Sequence, residues 1–323
     1  MKVLVIQNRM GIGDMVIFLP YIEAISKKFN VSVSLLVKEN TKSLEFLSNN
    51  THIKEIIILD RDDKKKTGKH YGLNGILKLT CEIKKNNFDK VFIFNSSIRY
   101  ALIAKLAKIK NIYQYQLFNK KNQNIIETAK LFIKKNLNVV VESNPIIKID
   151  SDKIIQAKNK YKILDNETNI LLGVGGSGPT KRVSIEKFLK LMSLCDKKLN
   201  CKFFLAAGNN EIEEKIVNQI FNSEFKKKCI PINKLQISET LPIIKNCNIS
   251  ICNDTSFSHL SAALDIQTIV LMTDTPLLYG NYSPKMHPII PDEEKTVTHG
   301  TLGKDKINPN KIFEKMNELL NLS

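Results

Sequence analysis

The chain has 323 residues, 43% of them hydrophobic and 25% charged, with a net charge of +17. That is the composition of a globular protein long enough for two domains, and its longest apolar runs, such as Ile269 to Met272, fall far short of the roughly 18 residues of a membrane-spanning helix. The six cysteines include no C-x-x-C pair, which argues against a disulfide framework or a zinc site and fits a reducing cytoplasm.

An apolar run at 2–7 predicts a buried strand, and no signal-peptide pattern precedes it. Met10-Gly11-Ile12-Gly13-Asp14-Met15-Val16 follows and opens a predicted helix over 15–28. Two glycines permit a sharp turn. Asp14 falls at the helix start, where two roles are open to it. It can cap free N–H groups at the positive end of the helix, or it can take a proton from a hydroxyl as a general base. A dinucleotide fingerprint is disfavoured, because Val16 stands where a third Gly or Ala is required and Asp14 would face a pyrophosphate.

Further strands are predicted at 31–37, 54–59, 90–95 and 112–116, with helices at 42–48, 73–86, 98–109 and 123–136. Val139 to Val141 is a candidate for one more strand. Alternation at this spacing means βαβ units and a parallel sheet. The segment 60–69, DRDDKKKTGK, reads as a charge-dense loop. Residues 1–150 hold 26 Lys and Arg against 13 Asp and Glu, a balance of +13, while the remainder holds 23 against 19, a balance of +4. A basic first half suggests an anionic partner. The bland reading, a chain rich in solvated lysine throughout, covers the total better than the asymmetry.

A polar stretch over 142–168, with a helix at 151–162, marks the domain boundary. The alternation then restarts, with strands at 169–174, 202–207, 228–231, 248–252 and 267–272 and helices at 184–195, 210–221, 238–245, 256–264 and 309–320. Residues 274–305 read mostly as loop. The glycine loop Gly173-Val174-Gly175-Gly176-Ser177-Gly178-Pro179-Thr180-Lys181 follows the first of these strands and can cradle a phosphate. It is not a Walker A loop, since Pro179-Thr180 replaces Lys-Ser/Thr. Asp254-Thr255-Ser256-Phe257-Ser258-His259 lies between a strand and a helix, where hydroxyls, amides and an imidazole can meet an anion. A lone histidine is more often a satisfied core residue, but these neighbours favour a site. No H-E-x-x-H or D-x-D motif points to a bound metal.

Taken together and in this order, the motifs resemble those of the ADP-heptose:lipopolysaccharide heptosyltransferases, glycosyltransferase family 9. The matching stretches are Gly13-Asp14 with Leu19-Pro20, the glycine loop ending in Lys181-Arg182, and Asp254-Thr255-Ser256-x-x-His259-x-Ser261-Ala262-Ala263. Val183-Ser184 replaces the family's Trp-Pro, and Ser256 replaces its Gly. The resemblance implies an α/β protein of GT-B fold, with two Rossmann-like doubly wound domains facing across a cleft. Residues 1–150 would bind the acceptor and 151–323 the nucleotide sugar, the last helix being a candidate to pack back on the first domain.

It further implies an inverting, metal-independent transfer of heptose from an ADP-sugar, with no cofactor. Asp14 would be the base, with Lys181 assisting catalysis. Donor contacts would come from Gly176, Ser177, Thr180, Lys181, Asp254, Thr255, Ser256 and His259. Glu211, with Asn210 as fallback, would meet the ribose, and Leu235 the adenine. Arg9, Gly13, Lys64 and Arg99 are candidates for an anionic glycolipid or oligosaccharide acceptor. A cytoplasmic location with peripheral contact to the anionic inner membrane surface follows, without a nucleic-acid role. The alternatives are the same fold using another nucleotide sugar on a non-core acceptor, or a non-catalytic nucleotide-sugar-binding protein.

Overall fold

The structure, a computed structural model, describes residues 1–116 and 124–321. It divides into two compact units, Met1–Pro145 and Ile146–Ser323, so the division falls five residues before the predicted boundary at 150.

The first unit contains β1 (Val3–Gln7), α1 (Ile12–Phe29), β2 (Val33–Lys38), a short α2 (Ser43–Phe46), β3 (Ile53–Leu59), α3 (Gly72–Lys85), β4 (Lys90–Ile93), α4 (Ile98–Leu106), β5 (Asn111–Gln114) and α5 (Ile125–Leu137). Its parallel sheet has the order β3-β2-β1-β4-β5. Every residue of β1 is buried, as a central parallel strand covered on both faces demands. On one face Leu4, Ile6, Val91 and Ile93 pack against Leu79 and Ile83 of α3 and Ile103 and Ala104 of α4. On the other, Phe92 and Phe94 meet Phe132 of α5, with ring centroids 6.3 and 5.3 Å apart. Val139 to Val141, the candidate sixth strand, joins no sheet. Three apolar residues do not make a strand where no sheet edge pairs with them. The first residue of the helix predicted over 123–136 lies outside the described residues.

The second unit opens with α6 (Ser151–Lys160) and continues through β6 (Thr168–Gly173), α7 (Ile185–Lys198), β7 (Cys201–Ala206), α8 (Glu211–Phe221), β8 (Cys229–Pro231), α9 (Ile237–Lys245), β9 (Ile249–Asn253), α10 (Ser256–Ala263), β10 (Thr268–Leu271), β11 (Met286–Ile289) and α11 (Pro309–Leu319). The sheet order is β11-β10-β9-β6-β7-β8, again all parallel. Strand β11 lies inside the stretch read as loop. Its sequence, Met-His-Pro-Ile, carries a proline that hides the strand signal, and an edge position is where proline is tolerated. The last helix, a candidate to pack back on the first domain, buries Ile312 and Met316 in the core of its own unit, with Met316 against Cys195 of α7.

Both chains of connections start at a central strand, run to one edge and then return to build the other side. This creates a switch point between β1 and β4 in the first unit and between β6 and β9 in the second. Open α/β sheets bind ligands in the crevice outside the carboxyl ends of strands at such a point.

Candidate functional site

In the second unit, the switch point brings the glycine loop after β6 beside the turn after β9. Asn253, fully buried at the end of β9, fastens the two. Its Nδ2 donates to the carbonyls of Val174 and Gly175, both at 3.0 Å, and its Oδ1 accepts from the Val183 amide at 3.3 Å. The loop is thus held at both ends by one side chain. Lys181, closing a 3-10 turn over Pro179–Lys181, reaches Asp254 with Nζ 2.8 Å from Oδ2. The Asp254 side chain is only 7% exposed. Burial alone would push its carboxyl up, but the charge of Lys181 and that of His259 outweigh burial and hold it below the usual carboxylate range.

Thr255 is the N-cap of α10, its hydroxyl accepting from the Phe257 amide at 3.3 Å. Ser256 is therefore the first helical residue, at the positive end of the dipole. His259, one turn in, is buried. Its Nδ1 shares a hydrogen bond of 2.9 Å with the Tyr282 hydroxyl, and the two rings stack 5.6 Å apart. Ser177 stands exposed on the glycine loop. The carbonyl of Thr180 accepts from the Thr273 hydroxyl at 2.8 Å. A lysine, a helix N-terminus and small residues gathered at one sheet end make a place for a diphosphate.

Two of the expected donor contacts lie at the start of α8. Glu211 points outward, 82% exposed and paired with Lys215 at 2.8 Å. Asn210 is the N-cap of α8, accepting from the Glu213 amide. The buried acid is Glu213, two residues further on. Its carboxylate accepts from the amides of Gly208 and Gly176, the latter at 3.4 Å. The Gly176 amide is thereby turned to Glu213, not left open for a phosphate. A Cβ at Gly175 would collide with the same carboxylate. The sequence carried a signal for this: in Asn210-Glu211-Ile212-Glu213 the cap selects the third helical residue as the one folded back on the turn. Leu235 lies half-buried after β8, two strands from β6.

In the first unit, Gly11 is the N-cap of α1 at φ 99°, a left-handed conformation that favours glycine. Gly13 is simply the second helical residue. Asp14 makes no cap bond, because α1 begins two residues before it. Its Oδ1 instead accepts from Arg9 Nε at 3.0 Å. Asp14 thus stands in the first turn of α1, at the positive end of the dipole, with its carboxylate bonded to Arg9 rather than to a backbone amide. Arg99 donates to the carbonyls of Gly72, at 3.1 Å, and His70. The Lys64 side chain is exposed on the charged loop, where its amide donates to Asp62.

Around this switch point, both amide atoms of Gln7, Arg61 Nε and Arg99 Nε are buried without a hydrogen-bond partner among the described residues, and the Tyr100 hydroxyl lies against Arg61 and Asn8. Burial, and then the neighbouring Arg61, lower the pKa of Arg99. Burial raises the Tyr100 phenol against the pull of Arg61. Two guanidiniums and a phenol crowded together suit an oxyanion. Arg61, which pairs with Asp63 at 2.6 Å, is a residue that sequence reading missed. Its place just after β3 was the available signal. Among the described residues, no group of three or more His, Cys, Asp or Glu is placed to hold a metal ion.

Residues 76–305 match the profile of glycosyltransferase family 9 (heptosyltransferase). The chain is 22% identical to lipopolysaccharide heptosyltransferase 1 of Campylobacter coli, over 93% of this chain and 91% of that one. Among solved structures it is similar to a glycosyltransferase family 9 protein from Veillonella parvula, with a TM-score of 0.81 at 17% identity, covering 100% and 98% of the two chains. It is also similar to E. coli ADP-heptose lps heptosyltransferase II, with a TM-score of 0.75 at 18% identity, covering 99% of each. These likenesses identify the fold as GT-B. With a profile match over most of its length, the chain belongs to glycosyltransferase family 9 and is a heptosyltransferase-like glycosyltransferase.

Proposed function

We propose that the enzyme transfers a heptose, or a closely related sugar, from an ADP-sugar to the lipopolysaccharide core or a similar anionic glycan, with inversion and without a metal, in the cytoplasm. The observation that carries this reading is the Lys181–Asp254 pair beside the N-terminus of α10, at the switch point of the second sheet. Diphosphate oxygens would share Lys181 with Asp254 and take up the hydroxyl and amide donors of Thr255 and Ser256.

In this reading Asp14 accepts the proton of the acceptor hydroxyl as its oxygen forms a bond to the anomeric carbon. The bond from that carbon to the diphosphate breaks in the same displacement, so configuration inverts and ADP leaves. Lys181 and the helix N-terminus stabilise the charge that develops on the leaving group, a type of contact typically worth on the order of 10²–10³ in rate. Arg9 holds the Asp14 carboxylate in place by a hydrogen bond of 3.0 Å. The unpartnered donors of Arg61 and Arg99 would meet an acceptor carboxylate or phosphate.

The names of the similar proteins support the donor class, since one is an ADP-heptose lipopolysaccharide heptosyltransferase. The alternative is a different nucleotide sugar on the same fold, left open by Ser256 standing where the family has Gly at the phosphate turn. A thermal-shift panel of ADP, UDP, GDP and their sugars separates these readings. A selective shift with ADP and ADP-heptose is expected. A selective shift with UDP or GDP would replace the donor, and a shift without transfer to any glycan acceptor would point to a binding protein.

A further inference from the structure

Only four of the 49 Lys and Arg are arginine, and each stands on a connection that leaves the carboxyl end of a strand: Arg9 after β1, Arg61 after β3, Arg99 at the start of α4 after β4, and Arg182 after β6. Lysine serves everywhere else. The guanidinium is the basic group that meets a carboxylate or phosphate with two parallel hydrogen bonds. Burial and then Arg61 lower the pKa of Arg99, so these two guanidiniums are near neighbours. Nε of each is buried without a hydrogen-bond partner among the described residues. Two like charges kept together need a scaffold that fixes them both.

That scaffold centres on His70, which is 1% exposed and takes part in no step of the transfer. Its Nδ1 accepts from the Asp60 amide at 3.1 Å. That nitrogen therefore carries no proton. The proton sits on Nε2, which donates to Glu82 Oε2 at 3.1 Å. Burial lowers the pKa of the ring against the pull of Glu82, which favours the neutral form. The backbone follows the ring. The His70 amide donates to the Asp60 carbonyl at 2.9 Å, and the Asp60 carboxylate accepts from the Lys69 amide at 2.9 Å. Further out, Asp62 and Thr67 bond to each other in both directions, at 2.9 and 3.1 Å. Gly68, at φ 106°, completes the closure, because a Cβ there would meet the Asp60 carbonyl oxygen at 2.6 Å. The charge-dense segment 60–69 is thus a closed strap with His70 as its clasp.

The clasp reaches both arginines. Asp60, fixed through its amide, is followed at once by Arg61. The His70 carbonyl accepts from Arg99, as does that of Gly72 at 3.1 Å. Building on the reading of Arg61 and Arg99 as contacts to an anionic acceptor, we propose that His70 is the residue that positions them, Arg61 through the Asp60 amide and Arg99 through its own carbonyl.

The test follows the side-chain Nε–H signals of Arg61 and Arg99 by NMR while inorganic phosphate is added to the full chain. Four arginines give four such signals, assigned with Arg61→Lys and Arg99→Lys. In the parent, phosphate should shift both. Asparagine places its side-chain oxygen where the ring has Nδ1, and glutamine places its amide nitrogen where the ring has Nε2. His70→Asn keeps the Asp60 bond and should bind phosphate within about twofold of the parent, whereas His70→Gln keeps only the Glu82 bond and should bind about tenfold more weakly, the loss of one hydrogen bond. Each variant gives up one hydrogen bond of the ring, so the two should unfold at similar temperatures. A histidine with a merely structural role would leave their phosphate affinities equal. Equal affinities, or the reverse order, would overturn the positioning role of His70. Absence of any phosphate shift at Arg61 and Arg99 in the parent would overturn the acceptor reading and the positioning role with it, so the parent alone tells the two failures apart. The titration needs no donor, and its outcome is independent of the nucleotide panel.

Discussion

The two units use one sheet plan and finish it differently. Each places an aspartate just after a central strand, at the switch point. In the second unit Asp254 is nearly inaccessible, pinned by Lys181 and embedded in a turn that Asn253 ties to the glycine loop, which Glu213 in turn fastens to the turn after β7. In the first, Asp14 is more open and is held by Arg9, itself 41% exposed. A carboxylate whose task is to fix a lysine and a helix N-terminus benefits from burial, because a low dielectric strengthens the pair. A carboxylate whose task is to receive a proton must stay within reach of a substrate hydroxyl. Under the proposed function, the same residue type at the same topological position is a strut in one unit and a reagent in the other.

The strongest way to break that comparison is to neutralise Asp14. Asp14→Asn should fold and keep its nucleotide affinity, yet lose transfer by on the order of 10²–10⁴, the usual contribution of a general base. Turnover close to that of the parent would reduce Asp14 to a partner for Arg9.

Lys181→Ala probes the strut. It should weaken ADP binding by about tenfold to a hundredfold, the loss of one charge-assisted contact, read by calorimetry. It should also lower stability at neutral pH by about 1–3 kcal/mol, because Asp254 is left buried without its cation. The pH dependence has a definite sign. The folded-state pKa of Asp254 lies below its ordinary value of 3.8, so its stabilisation is complete above that value and is lost as the pH falls through the folded one. In the variant that acid-side loss should begin at higher pH, visible as a narrower plateau of melting temperature. Unchanged ADP affinity would remove Lys181 from the donor site.

The smallest effects sharpen the distinction between two glutamates. Glu213→Gln can no longer accept from both Gly208 and Gly176, and should cost about 1–3 kcal/mol. Glu211→Ala, at an exposed position, should stay within about 0.5 kcal/mol and leave ADP affinity within twofold. Loss of ADP binding in Glu211→Ala would restore it as a ribose contact and displace the account of a rigid, Glu213-centred cradle.

Sequence alone was enough for the alternation of strands and helices and for the three glycine and acid turns, because each depends on local spacing. Apolar runs of five or six residues can only be buried strands in a chain with this many helices between them, and a family resemblance added the reaction type. Where it fell short, the deciding interactions were distant in the chain. Asn253 acts on Val174, Gly175 and Val183 across about eighty residues or fewer, and no local pattern marks an asparagine for that work. Glu211 and Glu213 are alike in type and nearly adjacent, and only the packing of α8 against the sheet decides which one is turned inward. The helix start at Ile12, two residues ahead of Asp14, is likewise decided by the Gly11 turn in its tertiary setting, and it leaves the Asp14 carboxylate to Arg9. The residue types of the site are thus written in the sequence. Their assignment as strut, clamp or reagent is decided by burial and by long-range hydrogen bonds.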